Sequence, residues 1–266
     1  MSAPEINNHV IALERASKFF AGNPAVEELS FIVGRGEIVA LVGRTGAGKS
    51  TALHMIMGVM PPDSGTVTVE GLDPYRQFRQ LRGKLSVSFQ TDRLLPWRTA
   101  VENVELGLQI GGVSAVERRK RALQWLENVK IFGEENAIKY PHQLSGGMRQ
   151  RVSLARALAV DPALVLLDES FSQLDHVTSS TLRADFATLV RRLGKTCVLI
   201  THRIDDALEM ADRILVLAAP ARLMLEVTVT PALRADAKWR ERQHHDIAAA
   251  MAVGMTPEPV TSAAAS

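Results

Sequence analysis

Eight consecutive residues, Gly43-Arg44-Thr45-Gly46-Ala47-Gly48-Lys49-Ser50, fit the spacing G-x-x-x-x-G-K-[ST]. Glycines at these places let the backbone curl until successive N–H groups face one anion. A helix starting near Lys49 adds the positive end of its dipole. In such a loop the Lys49 ammonium neutralises the β- and γ-phosphates of a nucleoside triphosphate. The Ser50 hydroxyl serves Mg2+, and Thr51 makes a secondary phosphate contact. Asp168 and Glu169 supply complementary chemistry after the apolar run Leu164-Val165-Leu166-Leu167. Asp168 suits Mg2+, directly or through water, and Glu169 can polarise an attacking water. Alone, an Asp-Glu pair after a strand is usually a solvated turn. The phosphate loop in the same chain reverses that expectation.

These residues need rigid elements behind them. Residues 38–42 form a short β-branched run that enters the loop, and 50–60 reads as a helix stopped by Pro61-Pro62. Residues 9–15 and 29–33 are strand-like, and 66–69 alternates before Gly71 in the manner of an edge strand. Residues 85–89 alternate again and end at Gln90. From about 91 to 160 the pattern turns helical, at 116–129 and 146–159. Strands return at 163–167, 196–201 and 214–217, separated by helical stretches at 177–193 and 205–211. Strands alternating with helices predict a mostly parallel sheet covered on both faces. A run of four apolar residues before Asp168 fits a strand buried on both sides, and ligands of such sheets bind at the carboxyl ends of strands.

Composition bounds the function classes. Lys plus Arg total 31 against 29 Asp plus Glu, a net charge of +2 that makes no whole-molecule case for a nucleic-acid partner. A single cysteine, Cys197, excludes an internal disulfide and a cysteine zinc cluster. The first ten residues lack a basic start followed by an apolar run, so no signal peptide is expected. No apolar run approaches the roughly 20 residues of a membrane span. If the protein acts at a membrane, other chains must supply the spans.

Leu144-Ser145-Gly146-Gly147-Met148-Arg149-Gln150-Arg151 is a narrower signal. Ser145 and the two glycines precede a helix with an apolar face at Val152, Ala155 and Leu158. Free N–H groups at its start, with the Ser145 hydroxyl, form a second anion site; taken within one chain, the same residues also read as a plain serine cap. The stretch closely resembles the signature of ABC ATPases. That resemblance implies that Ser145, Gly146 and Gly147 meet the γ-phosphate held by another subunit's loop, so that ATP lies between two chains. It also implies a role for Gln90 in sensing Mg2+ and water, and for His202 in contacting the γ-phosphate. Ser172-Gln173-Leu174-Asp175 resembles the segment that crosses the dimer. Phe20 falls where the family stacks an aromatic on adenine, with Phe19 as the alternative and a core role for both still open. The motifs run in family order from residue 9 to 220. Two positions depart from the pattern: Ser170 stands where the family has proline, and Gln173 where it has alanine. Neither removes a chemical group; both bear on the timing of hydrolysis.

The implied fold is α/β, a P-loop NTPase core with an N-terminal antiparallel β-subdomain and an inserted helical subdomain. The implied layout is a tail at 1–8, the ATPase domain at 9–220 with the helical insertion at about 91–160, an extension at 221–254, and a disordered tail at 255–266. Arg93-Leu94-Leu95-Pro96-Trp97-Arg98-Thr99 follows Gln90 where the family binds its membrane partner, and its wording resembles the ATPases of nitrate, sulfonate and taurine importers. Charged helical residues at 232–250 fit that subgroup. An aromatic beside a proline suits capture of a helix, although Trp97 could equally belong to the subdomain core. Implied partners are a second ATPase subunit, integral membrane permease subunits and, indirectly, a solute-binding protein, with no nucleic acid. The implied location is the cytoplasmic face of the inner membrane. The alternatives are a soluble ABC ATPase of DNA repair or translation, which usually carries two cassettes or a long coiled-coil insertion, and a P-loop kinase, which would lack 144–150.

Overall fold

The computed structural model describes residues 9–171 and 176–253. The expected tails at 1–8 and 255–266 and the 172–175 segment, with Gln173 and Asp175, lie outside the described residues. In chain order the elements are β1 (His9–Phe20), β2 (Asn23–Gly34), β3 (Ile38–Val42), α1 (Lys49–Ile56), β4 (Ser64–Val69) and β5 (Leu85–Ser88). Four helices follow: α2 (Ala100–Ile110), α3 (Ala115–Asn128), α4 (Glu134–Ala137) and α5 (Gly146–Leu158). The chain continues with β6 (Leu164–Asp168), α6 (His176–Arg192), β7 (Thr196–Thr201), α7 (Ile204–Met210), β8 (Arg213–Ala218), β9 (Arg222–Thr228), α8 (Pro231–Ala235) and α9 (Ala237–Ala252).

Two sheets form. An antiparallel sheet has the order β2-β1-β4, which puts β4 at an edge, as its alternation predicts. The larger sheet has the order β5-β6-β7-β3-β8-β9. Every pair from β5 to β8 is parallel, and β9 returns antiparallel to β8. Because side chains alternate across a strand, each central strand serves two cores. Val39, Leu41, Leu166 and Ile200 pack with Ile11, Leu13 and Val67 of the antiparallel sheet and with Leu53 of α1. Val42, Val165, Leu167 and Leu199 pack on the other face, in one core with Val104, Leu126, Val152, Phe186 and Leu208 from five helices. That double burial is why these strands read as unbroken apolar runs.

The structure differs from the sequence reading at three places. The first helix ends at Ile56, short of the Pro61-Pro62 stop. Gly58 takes φ 70, and a Cβ there would lie 2.1 Å from the Pro74 carbonyl oxygen, so the chain turns at the one residue that permits it. Second, α2 precedes the two helices expected in the insertion. Thr99 accepts the Glu102 N–H and the Glu102 carboxylate accepts the Thr99 N–H, a capping box that starts this helix. Third, the stretch beyond 220 contributes β9 to the main sheet and α9 to its cover, with Ile247 fully buried beside the α7 layer. Among the described residues no helix is long and apolar enough to cross a membrane.

Candidate nucleotide site

Parallel pairing aligns the ends of four strands. Val42 pairs with Thr201, Asp168 with Ile200, and Ser88 with Leu167. The residues that leave these ends are therefore Gln90 after β5, Asp168 and Glu169 at β6, His202 after β7, and the 43–50 loop after β3. They line one edge of the sheet in that spatial order. Four segments scattered between residues 43 and 202 are thereby brought to the carboxyl edge, where ligands of parallel sheets bind.

The loop joins β3 to α1 without a side-chain cap, so the first N–H groups of α1 remain available to an anion. Gly48 has φ 78, and a Cβ there would come within 2.1 Å of the Ala25 carbonyl oxygen. Only glycine fits at that position. The Lys49 ammonium is buried and donates to the carbonyls of Gly43 at 2.7 Å and Arg44 at 2.8 Å. It thus spans the loop's own mouth. Ser50 is exposed and Thr51 half-buried at the start of α1.

Lys49 and the two carboxylates form one electrostatic group. Burial pushes the Lys49 ammonium down, and the charges of Glu169 and Asp168 oppose that shift. Asp168 is pushed above the usual carboxylate range, first by burial and then by Glu169, against His54, Arg93 and Lys49. Glu169 takes the left-handed φ of 48, and its Oε1 lies 3.2 Å from Nδ1 of His202. Among the described residues no group of three or more His, Cys, Asp or Glu is placed to hold a metal ion. Such a mixed set suits Mg2+, which keeps water and phosphate oxygens as ligands and takes one or two from protein. Ser50 and Asp168 are the residues that fit it, and a divalent cation would relieve the crowding that raises Asp168.

The second candidate anion site lies at another helix start. Ser145 caps α5, its Oγ accepting the Met148 N–H at 3.2 Å. Helix α5 packs on α2, α3, α6 and β5, whereas α1 packs on β2 and β4. The two helix starts therefore belong to different parts of the chain. Phe19 and Phe20 end β1 with 43% and 48% of their surfaces exposed, which removes the core reading for both. Trp97 is 70% exposed, so it too is no core residue.

Sequence reasoning missed the residues that fasten the 91–99 segment. The buried Asn103 side chain accepts the Leu95 N–H at 2.7 Å and donates to the carbonyls of Leu95, Arg98 and Thr99. This bracket presents Trp97 outward. On the other side, Arg149 Nε reaches Asp92 at 3.0 Å, and Arg156 donates to the Asp92 and Arg93 carbonyls, each at 2.7 Å. The helix that begins at the second anion site therefore grips the segment just after Gln90. Arg149 stood inside the quoted 144–151 stretch, but nothing in the sequence pairs it with Asp92. A cavity of about 370 Å3 opens beside β4, lined by Met55, Met60, Asp63 and Tyr75 among others; it contains none of the motif residues.

A family described as ABC transporter matches residues 26–172. The taurine import ATP-binding protein of Yersinia pestis bv. Antiqua (strain Antiqua) is 43% identical over 199 residues, 75% of this chain and 76% of that protein. The methionine import ATP-binding protein of Rhizobium etli is 40% identical over 214 residues, 79% of this chain and 59% of that protein. Among solved structures, the dimeric post-hydrolysis state of the ATP-binding cassette MJ0796 bound to ADP and Pi superposes with a TM-score of 0.72 at 34% identity. That match covers 83% of this chain and 99% of that one. CbiO1 of Clostridium perfringens, at 24% identity, shares the fold with a TM-score of 0.78 over 91% of this chain and 93% of its own.

The raised Asp168 gives a linked pair of outcomes. A carboxyl whose folded value is raised holds its proton more tightly in the folded state. The stability it lends is present at low pH and is lost as pH rises through that raised value. At neutral pH the ionised group burdens the ligand-free fold. Asp168→Asn should therefore raise the ligand-free melting temperature at neutral pH by a few degrees, with the gain vanishing below the usual carboxylate range. Mg2+-dependent ATP hydrolysis should fall by about a hundredfold or more. Melting curves across pH and a phosphate-release assay check the two halves.

Proposed function

The chain belongs to the ABC transporter family as an ATP-binding, ATP-hydrolysing subunit, and on that premise we propose that it works as half of a two-fold dimer that drives solute import through a separate permease. The observation that carries this reading is the pair of helix starts. One follows the phosphate loop at Lys49 and the other follows Ser145, and they stand on different packing units of one chain. A second copy in two-fold relation supplies the missing half to each loop. The dimeric ADP- and Pi-bound cassette among the structural relatives supports the arrangement.

Each residue then has a task in the hydrolysis of ATP to ADP and phosphate. Lys49 leaves its carbonyl partners and neutralises the β- and γ-phosphates, with loop N–H groups and Thr51 around them. Ser50 and Asp168 would hold Mg2+, assisted by Gln90, and the ion would supply neutralisation of charge developing on the phosphate oxygens. Glu169 accepts hydrogen bonding from the attacking water and takes its proton as the new P–O bond forms and the bridging P–O bond to ADP breaks. His202, beside Glu169, steadies that carboxylate and reaches the γ-phosphate. Ser145, Gly146 and Gly147 of the partner close the site, Asp175 belongs to the segment that crosses the dimer, and Phe20 or Phe19 stacks on adenine. Permease subunits dock on the 93–99 segment with Trp97 at its tip, and the protein sits peripherally on the cytoplasmic face of the inner membrane. This chain handles the nucleotide, whereas a solute-binding protein and the permease select the solute. That division of labour accounts for the similar match to taurine and methionine import relatives. The 94–99 wording and the taurine import relative favour the nitrate, sulfonate and taurine class.

Mixing two inactive variants tests the shared site. Lys49→Ala lacks the loop's cation and Ser145→Arg blocks the second helix start. In a mixed dimer one composite site loses both functions and the other keeps both, so ATPase should reappear at up to about a quarter of the wild-type rate per chain in an equal mixture. A mixture no more active than its separate components would show that each chain cleaves ATP alone.

The outward Trp97 gives a second expectation. Trp97→Ala should leave the isolated chain's ATPase unchanged while weakening association with the permease by about thirtyfold, the effect of losing roughly 2 kcal/mol at an interface anchor. Co-purification with the permease, read beside basal ATPase, checks it. Undiminished co-purification would remove Trp97 from the interface.

A further inference from the structure

Glu169 occupies a backbone region that residues with side chains enter only at a cost, with φ 48 directly after β6. Among the described residues, two hydrogen bonds tie this turn to the neighbouring strands. The Glu169 N–H donates to the Ile200 carbonyl on β7 at 2.9 Å, and the Ser170 hydroxyl donates to the Ser88 carbonyl on β5 at 2.9 Å. Strands β7 and β5 are the two neighbours of β6, so the turn is tied to the sheet on both sides. The first tie is a backbone bond open to any residue but proline. The second depends on the side chain at 170, which is 2% exposed. Proline has no hydroxyl and could not make it.

Ser88 is itself buried and lies two residues before Gln90. Its own hydroxyl stands 3.4 Å from that of Ser153, which sits on the buried side of α5. The Ser170 bond thus joins the turn carrying Glu169 to the strand that leads into Gln90 and faces the helix capped by Ser145. We propose that Ser170 is a positioning residue for hydrolysis. Its hydroxyl holds the Glu169 carboxylate in one frame with Gln90, a task for which this chain uses a hydrogen bond between two strand ends. This rests on the reading of Glu169 as the group that takes the proton from water. The plain alternative is a buried hydroxyl that satisfies a carbonyl and does nothing for turnover.

Steady-state ATPase of the purified full chain separates the two. Ser170→Ala keeps the shape but loses the bond. The inference expects kcat about tenfold lower, with KM for MgATP near wild type, because misaligning one group in the transition state spares ground-state binding. A kcat within about twofold of wild type would overturn it. So would a loss of kcat accompanied by a matching rise in KM, or failure to fold, since Ser170 would then be a packing residue. Glu169→Gln is measured in parallel. If that variant turns over normally, the reading of Glu169 itself has failed; if it is inactive while Ser170→Ala is unaffected, only the positioning role has.

Discussion

Parallel pairing among β5, β6, β7 and β3 is the constraint on which the rest of the structure depends. It fixes Val42 against Thr201 and Asp168 against Ile200, and so decides which residues emerge side by side. A slip of one residue would turn every side chain of a strand to the opposite face. Here each face of each central strand is buried in its own core, so both parities resist the slip. The 43–50 loop, the two carboxylates, Gln90 and His202 are held in order by the packing of apolar strand residues.

Against this rigid edge stands a close group of buried and half-buried charges. A buried ammonium shares its surroundings with two adjacent carboxylates, and Lys49 turns back to the carbonyls of its own loop. On the proposed reading a polyphosphate would satisfy the lysine and the loop N–H groups, and a divalent cation would satisfy Asp168. Crowding that burdens the empty fold is thus the same crowding that favours the loaded one, a common trade between stability and function.

Much of this was legible in the residues. Glycine, lysine and hydroxyl positions stand at fixed spacing after an apolar run, and runs such as 164–167 are apolar throughout because both faces are buried. The start of α2 was also written in the sequence, as Thr99 and Glu102 at capping-box spacing, although the apolar pattern alone did not isolate it. Other features had no local signal. The turn at Gly58 is set by the distant Pro74, and the grip of Arg149 and Arg156 on Asp92 and Arg93 joins residues 57 to 64 positions apart. Ser170 is visible in the sequence as a departure from the family pattern, but its partner Ser88 lies 82 residues away. Long-range pairs of this kind follow from the register of the sheet and from helix packing, which no window of sequence contains.

Division of one ATP site between two copies of the chain is the central claim, and the mass of the protein in solution tests it directly. With Glu169 replaced by glutamine, water should no longer be activated while every phosphate contact is kept, so bound ATP should persist. Light scattering on that variant should show a monomer without nucleotide and a doubled mass with MgATP, reverting on exchange to MgADP. A chain that binds MgATP tightly yet stays monomeric at every concentration examined would contradict the shared site.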